Sequence, residues 1–275
     1  MSGIEKAPPG VDITVPSAAR MYDYYLGGTE NYEVDRKAAE AIRAKMPELE
    51  DAAWANRGFL QRSVRWLAEQ GVRQFLDIGA GLPTMNNTHD AAQAVAPDAK
   101  VVYVDNDPIV QIHADALLEG VPGTAFITAD FRDVDGVLGH EATLATIDFD
   151  EPVALLLLAV THFMPDEDDP WGLIRRYMDR FVPGSYLALS SATTDRQAEG
   201  AVGAINETYS RSTSSAHMRT RAEIERFFDG LELVPPYAEA EPKLVYFGEW
   251  GAVDLDLADS DGSRWGYCGV ARKTE

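Results

Sequence analysis

The 275-residue sequence predicts a doubly wound α/β fold, with a mainly parallel seven-stranded sheet whose last strand runs antiparallel. Three observations lead there. The segment Val72 to Ile78 reads as a short strand that carries an acid, Asp77, near its end and breaks at once into Gly79-Ala80-Gly81. From that point strand-like and helix-like segments alternate, as they do in parallel sheets covered on both faces. Within the alternation, Pro152 to Ala159 holds an unbroken row of leucines, the pattern of a strand buried on both faces.

Taken in order, residues 1–16 carry Pro8, Pro9, Gly10 and Pro16 without periodicity and read as a loose arm. Arg20 to Gly28 packs three tyrosines beside charge and ends in a glycine pair. Helices are expected over Asn31–Lys45, with Pro47 beyond the end, and over Asp51–Gln70, with Gly71 as the residue past its C-cap. The first strand opens a helical pattern from about Asn86. Lys100–Asp105 is the second strand, followed by a helix with Asp107 as N-cap and Pro108 in its first position. Thr124–Ala129, Pro152–Ala159 and Ser185–Ser190 follow as strands, with a helix over Asp169–Phe181 between the last two. Helices are expected at 196–209 and 221–229, the latter opened by the capping box Thr220-Arg221-Ala222-Glu223. Leu244–Trp250 and Trp265–Ala271 read as two closing strands, paired antiparallel because no helix fits between them.

Composition limits the function. A net charge of −21 repels a phosphate backbone, so nucleic-acid binding is not expected. Cys268 is the single cysteine, which rules out an intrachain disulfide and a cysteine-based zinc site. The longest apolar run, Val153–Val160, is too short to span a bilayer, and the N-terminus lacks an apolar signal core. A cytoplasmic protein that uses no metal and touches no membrane is expected.

In open parallel sheets ligands sit off the carboxyl ends of the strands, at the point where strand order reverses. Those ends hold Asp77 and Gly79, Asp105 and Asn106, Asp130 and Phe131, and Val160, Thr161 and His162. Gly79 permits a tight turn, and Gly81 leaves no Cβ between chain and ligand. Asp105 follows Gly81 by about 24 residues, near the offset at which an acid meets ribose hydroxyls. Three successive strands ending in aspartate beside a Gly-x-Gly turn point to a polar cleft for a hydroxyl- or amine-bearing ligand.

The run Phe75–Thr84, the strand end Val104-Asp105-Asn106-Asp107-Pro108 and Ala129-Asp130-Phe131-Arg132-Asp133 resemble the first three motifs of class I S-adenosylmethionine-dependent methyltransferases. Pro16–Gly28, Asn56-Arg57, Leu155–His162, Pro183–Ser190 and Arg226–Leu233 further resemble a bacterial family of S-adenosyl methyltransferases formerly catalogued as a domain of unknown function. The resemblance implies a Rossmann-like methyltransferase domain over 72–275, preceded by a helical extension or lid over 17–71. It implies S-adenosylmethionine as cofactor. Gly79, Ala80 and Gly81 would pass under its methionine part, and Asp105 would accept both ribose hydroxyls. Asn106 and Phe131 would flank the adenine, Asp130 would accept from its amine, and Asp77 would hold the turn or meet the amino group. Backbone at Ala159 to Thr161 would complete the pocket. Pro83-Thr84 stands where a pyrophosphate-binding loop has its third glycine, a departure that counts against a dinucleotide.

For the tyrosine segment, Arg20 is the expected partner of the cofactor carboxylate. Tyr22, Tyr24 or Tyr25 would wall off the sulfonium, whose charge suits an aromatic face. The alternative for each tyrosine is helix packing, and Arg57 has the same two readings. His162 is the candidate base, because an unperturbed imidazole suits proton transfer, while a structural histidine is its other reading. The function expected is methyl transfer from S-adenosylmethionine to a small-molecule acceptor. Left open are an NAD-dependent oxidoreductase and a non-catalytic protein that only binds S-adenosylmethionine.

Overall fold

The structure is a computed structural model that describes residues 7–8, 10–83 and 87–275. Residues 1–6 and 9 of the expected arm, Thr84 and the helix start near Asn86 lie outside the described residues.

Three helices come first: α1 (Ala18–Tyr25), α2 (Glu33–Arg43) and α3 (Leu49–Glu69). α3 ends as its sequence predicts, with Gly71 at φ +94° supplying the left-handed residue after the last turn. The alternating part then runs β1 (Gln74–Ile78), α4 (Thr88–Gln93), β2 (Lys100–Asp105), α5 (Pro108–Leu118), β3 (Thr124–Thr128), α6 (Val134–Leu138), α7 (Glu141–Thr146), β4 (Val153–Leu158), α8 (Pro170–Asp179) and β5 (Tyr186–Ala192). α9 (Glu199–Tyr209), α10 (Arg221–Glu225), β6 (Glu232–Leu233), β7 (Val245–Tyr246), α11 (Leu255–Ala258) and β8 (Gly266–Arg272) complete it. The two expected N-caps form: the Asp107 carboxylate accepts from Ile109 N, and Thr220 and Glu223 close a reciprocal box.

Among the described residues the sheet has eight strands in the order β3-β2-β1-β4-β5-β8-β6, with β7 also on β8. β1 to β5 are parallel, and β8 runs antiparallel to β5 as expected for the closing strand. The eighth strand, β6, is two residues long, too short to leave a periodic trace in the sequence. The expected strand 244–250 shrinks to Val245–Tyr246, and 251–264, expected without helix, contains the single turn α11.

Two apolar clusters lie on the two faces of the sheet. One is built on Leu76, Val102, Leu155 and Leu187, the other on Phe75, Val101, Leu156 and Ala188. Successive residues of each strand feed opposite clusters, as the two-residue period of a strand dictates. A third cluster joins Met21, Tyr25 and Leu26 of α1 and its loop to Ile42, Met46 and Leu49, to Ile205 of α9, and to Trp265. The N-terminal helices are thereby fastened over the carboxyl end of the sheet. Strand order reverses between the neighbours β1 and β4, so the crevice opens beside Asp77 and Leu158.

Candidate active site

A cavity of about 480 Å³ fills that crevice. Its floor comes from the strand ends: Asp77, Gly79, Ala80 and Gly81 after β1, Asp105 and Asn106 after β2, Asp130 and Phe131 after β3, and Ala159, Val160 and His162 after β4. Its roof is Tyr22, Tyr25, Met46, Leu49, Ala53 and Arg57 from the N-terminal helices.

The glycine turn owes its shape to backbone freedom. Gly79 (φ +69°) and Gly81 (φ +64°) are both left-handed. A Cβ on Gly79 would collide with Val160 Cγ2, whereas one on Gly81 would meet nothing within 4 Å. Gly79 is thus demanded by the close approach of the β4 loop. Gly81 keeps the cavity side open.

Asp105 is fixed from both ends: Gly81 N donates to one carboxylate oxygen and Asp107 N to the other, each at 2.9 Å. Burial raises its pKa against those two N–H donors. Asp77 is 5% exposed and accepts from the Thr88 hydroxyl at 2.6 Å. Burial pushes its carboxyl up to about 6, opposed by Thr88 and Arg57 and reinforced by Asp105. A buried carboxyl in that condition gains most from a cation.

Arg57 is the complementary group. Its side chain is 8% exposed and lines the cavity with no hydrogen bond or ion pair to any described residue, its guanidinium lying 6.0 Å from the Tyr22 ring centroid. A buried guanidinium in need of an anion, beside a buried carboxyl in need of a cation, suits a zwitterion. The charges of the site therefore fit the amino-acid end of a zwitterionic ligand, with Asp105 beyond the glycine turn.

Several expected roles require correction. Arg20 does not line the cavity: its side chain is 3% exposed, paired with Asp35 at 2.7 Å, and it donates to Val15 O at 2.7 Å. An arginine already held by a buried carboxylate is not open to another one. Tyr24 turns outward to Glu40. Tyr22 and Tyr25 do line the cavity, and the Tyr22 hydroxyl is consumed by Ala53 O and Asn56 Nδ2. Asn56 in turn accepts from Ser190, whose Oγ accepts from Ala159 N, so the roof is tied by hydrogen bonds to the β4 end. Ala159 itself adopts φ +55° there. Thr161 is fully buried behind the wall, with its carbonyl accepting from Arg219 at 2.9 Å. Asp130 reaches the cavity, but Arg132 grips its carboxylate at 2.6 Å, which lowers its pKa.

His162 is also corrected. Its Nδ1 accepts from Ala192 N at 3.3 Å, so the neutral ring carries its proton on Nε2. Burial, with the Arg219 guanidinium nearby, holds the ring's pKa down to about 3. A ring in this state donates a hydrogen bond and does not take up a proton.

Residues that sequence reasoning did not place complete the wall: Phe163, Ile205, Tyr209, Met218 and Trp265. Among the described residues no cluster of metal-ligating side chains occurs, and no helix is long and apolar enough to cross a membrane.

A model of the S-adenosyl methyltransferase family matches residues 4–274. The chain is 41% identical to a Thermobifida fusca protein described as a candidate methyltransferase, with 98% of each chain covered and a TM-score of 0.88. It is 42% identical to a DUF574 family protein of Streptomyces avermitilis, covering 95% of this chain and 99% of that one, also at a TM-score of 0.88. An O-methyltransferase family protein of Burkholderia thailandensis shares the fold at 12% identity, over 92% of this chain and 64% of its own, with a TM-score of 0.51. No curated protein sequence matches the chain.

Proposed function

This chain belongs to the S-adenosyl methyltransferase family, and from that premise we propose how its own residues hold the cofactor and what they leave for the acceptor. The enzyme transfers a methyl group from S-adenosylmethionine. Bound in the cavity, the cofactor supplies an electrophilic methyl carbon on a positively charged sulfur.

Arg57 pairs with the cofactor carboxylate and Asp77 with its ammonium. Asp105, held rigid by Gly81 N and Asp107 N, accepts the ribose hydroxyls. Asn106 and Phe131 flank the adenine, while Asp130, kept ionised by Arg132, borders it. Tyr22 presents its ring face to the sulfonium, since its hydroxyl is already bonded at both ends. The chain contributes alignment, exclusion of water and a fixed field rather than a proton acceptor. The acceptor is a small molecule, because the second half of the cavity is roofed over by α1 and α9 side chains.

The observation that carries this reading is the unpaired Arg57 beside buried Asp77, with Asp105 beyond the glycine turn. Arg57→Gln tests it. The variant should bind S-adenosylhomocysteine about 10- to 100-fold more weakly, the loss of one charge-assisted pair. Its affinity for 5′-methylthioadenosine, which lacks the amino-acid end, should stay unchanged. Equal losses for both compounds would remove Arg57 from the carboxylate.

A further inference from the structure

The side of the cavity lined by α1, α9 and the turn after β4 has a chemistry of its own. Five rings follow one another along its wall. Tyr22 and Tyr25 meet edge to face with centroids 6.4 Å apart, and the Tyr25 and Tyr209 hydroxyls lie 3.4 Å apart. Tyr209 is 5.2 Å from Phe163, which is 4.5 Å from His162. Met46, Leu49, Ile205 and Trp265 add apolar surface, and Thr213, Ser214, Ser215 and His217 add polar side chains. Every Asp or Arg in the cavity lining belongs to Arg57 or to the strand-end floor, and the described lining holds no Glu or Lys.

Two of the polar groups on this side are the hydroxyls of Tyr25 and Tyr209. Tyr25 and Tyr209 share one hydrogen bond, which leaves one hydroxyl proton unspent. His162 points no proton acceptor at the cavity, because Nδ1 is occupied by Ala192 N and Nε2 carries the hydrogen. The titratable groups around this space are Tyr22 and Tyr25 of α1, His162 of the turn after β4, Tyr209 of α9 and His217 of the following loop, with the Arg219 guanidinium behind His162. Burial pushes the Tyr209 hydroxyl up to about 12 and the Tyr25 hydroxyl well above its ordinary value, so neither serves as a base at neutral pH. An ammonium acceptor would find no carboxylate here. An oxygen acidic enough to ionise unaided would find an unspent hydroxyl and an imidazole N–H.

We propose that the methyl acceptor is a flat aromatic or conjugated molecule bearing a phenolic or enolic hydroxyl, seated against the ring wall with its oxygen on the Tyr25–Tyr209 pair. The proposal rests on the cofactor placement given above and extends it to the other substrate. The hydroxyl proton leaves to solvent as the acceptor ionises. The phenolate oxygen then bonds to the methyl carbon as the carbon–sulfur bond breaks, its electron pair returning to sulfur. Neutral S-adenosylhomocysteine and an aryl or enol methyl ether result.

A chromogenic phenol tests this without knowledge of the natural acceptor. Calorimetry first establishes uptake of S-adenosylhomocysteine, whose uncharged sulfur adds no field of its own. 4-Nitrophenol is then titrated into the loaded protein across a pH series, reading its phenolate absorption band. Donors aimed at the oxygen favour the charged form, whereas an apolar slot without donors favours the neutral phenol. The expected result is phenolate bound about tenfold more tightly than phenol, which lowers the bound probe's ionisation midpoint by about one pH unit. The double variant Tyr25→Phe/Tyr209→Phe should return the midpoint toward that of the free probe while leaving S-adenosylhomocysteine affinity intact, whereas either single variant keeps one hydroxyl proton free and should hold the lowered midpoint. A bound midpoint at or above the free value overturns the proposal. So does failure of 4-nitrophenol to bind protein that has taken up S-adenosylhomocysteine, or a midpoint that the double variant does not move. Failure of the calorimetric step is a different result, and refutes the cofactor reading on which the proposal stands.

Discussion

Replacing Asp77 by Asn isolates the electrostatic tension in the cofactor site. The carboxyl is 5% exposed and its pKa is raised from 3.8 to about 6, chiefly by burial. Each tenfold change in proton affinity corresponds to about 1.4 kcal/mol, so ionised Asp77 disfavours the ligand-free fold by about 3 kcal/mol at neutral pH. The sign follows from linkage. A carboxyl whose folded pKa lies above its unfolded one stabilises the fold below about 3.8, and that contribution is lost as pH rises through about 6. Asparagine keeps an oxygen for the Thr88 hydroxyl and removes the charge. Asp77→Asn should therefore be about 3 kcal/mol more stable than the parent at pH 7, with little difference near pH 4. Urea denaturation at both pH values, with equal slopes for the two proteins, measures this. S-adenosylhomocysteine should stabilise the parent more than the variant, because its ammonium offsets the Asp77 charge. A variant less stable at pH 7, or a difference independent of pH, would refute the reasoning.

Two further outcomes are expected. Asp105→Ala should fold and bind S-adenosylhomocysteine about 10- to 100-fold more weakly, since the charge-assisted ribose bonds go together with the anchor on Gly81 N; an unchanged dissociation constant in calorimetry would place the ribose elsewhere. Residues 20–28 should gain hydrogen-exchange protection on adding S-adenosylhomocysteine, as a roof ordered by its ligand does, and identical exchange in both states would make α1 purely a packing element.

The parts of the fold legible in the sequence are those written locally. The glycine turn shows as two glycines after an acid, and the structure finds both left-handed. β4 shows as its row of leucines, and α5 as Asp107-Pro108. The strand ends bring Asp77, Asp105, Asn106, Asp130 and Phe131 to one cavity because a parallel sheet aligns them. What the sequence hides is partner choice. Arg20 sits beside the tyrosines, but Asp35, fifteen residues later, binds it in a buried pair. Asp130 is claimed by Arg132 only two residues on, a pairing that neighbouring opposite charges in a turn make easy to overlook. Tyr25 and Tyr209 meet across 184 positions, and no periodicity reports a contact of that separation. His162 is legible as a strand-end histidine, but its tautomer depends on the N–H of Ala192 on the adjacent β5.

The most direct test of the central claim is calorimetry of the ligand-free protein against S-adenosylhomocysteine and, separately, NAD. A cavity with Asp105 held beside the glycine turn and the Arg57–Asp77 charges predicts a dissociation constant in the micromolar range or tighter for S-adenosylhomocysteine, and no heat from NAD. Binding of NAD with no heat from S-adenosylhomocysteine would contradict it.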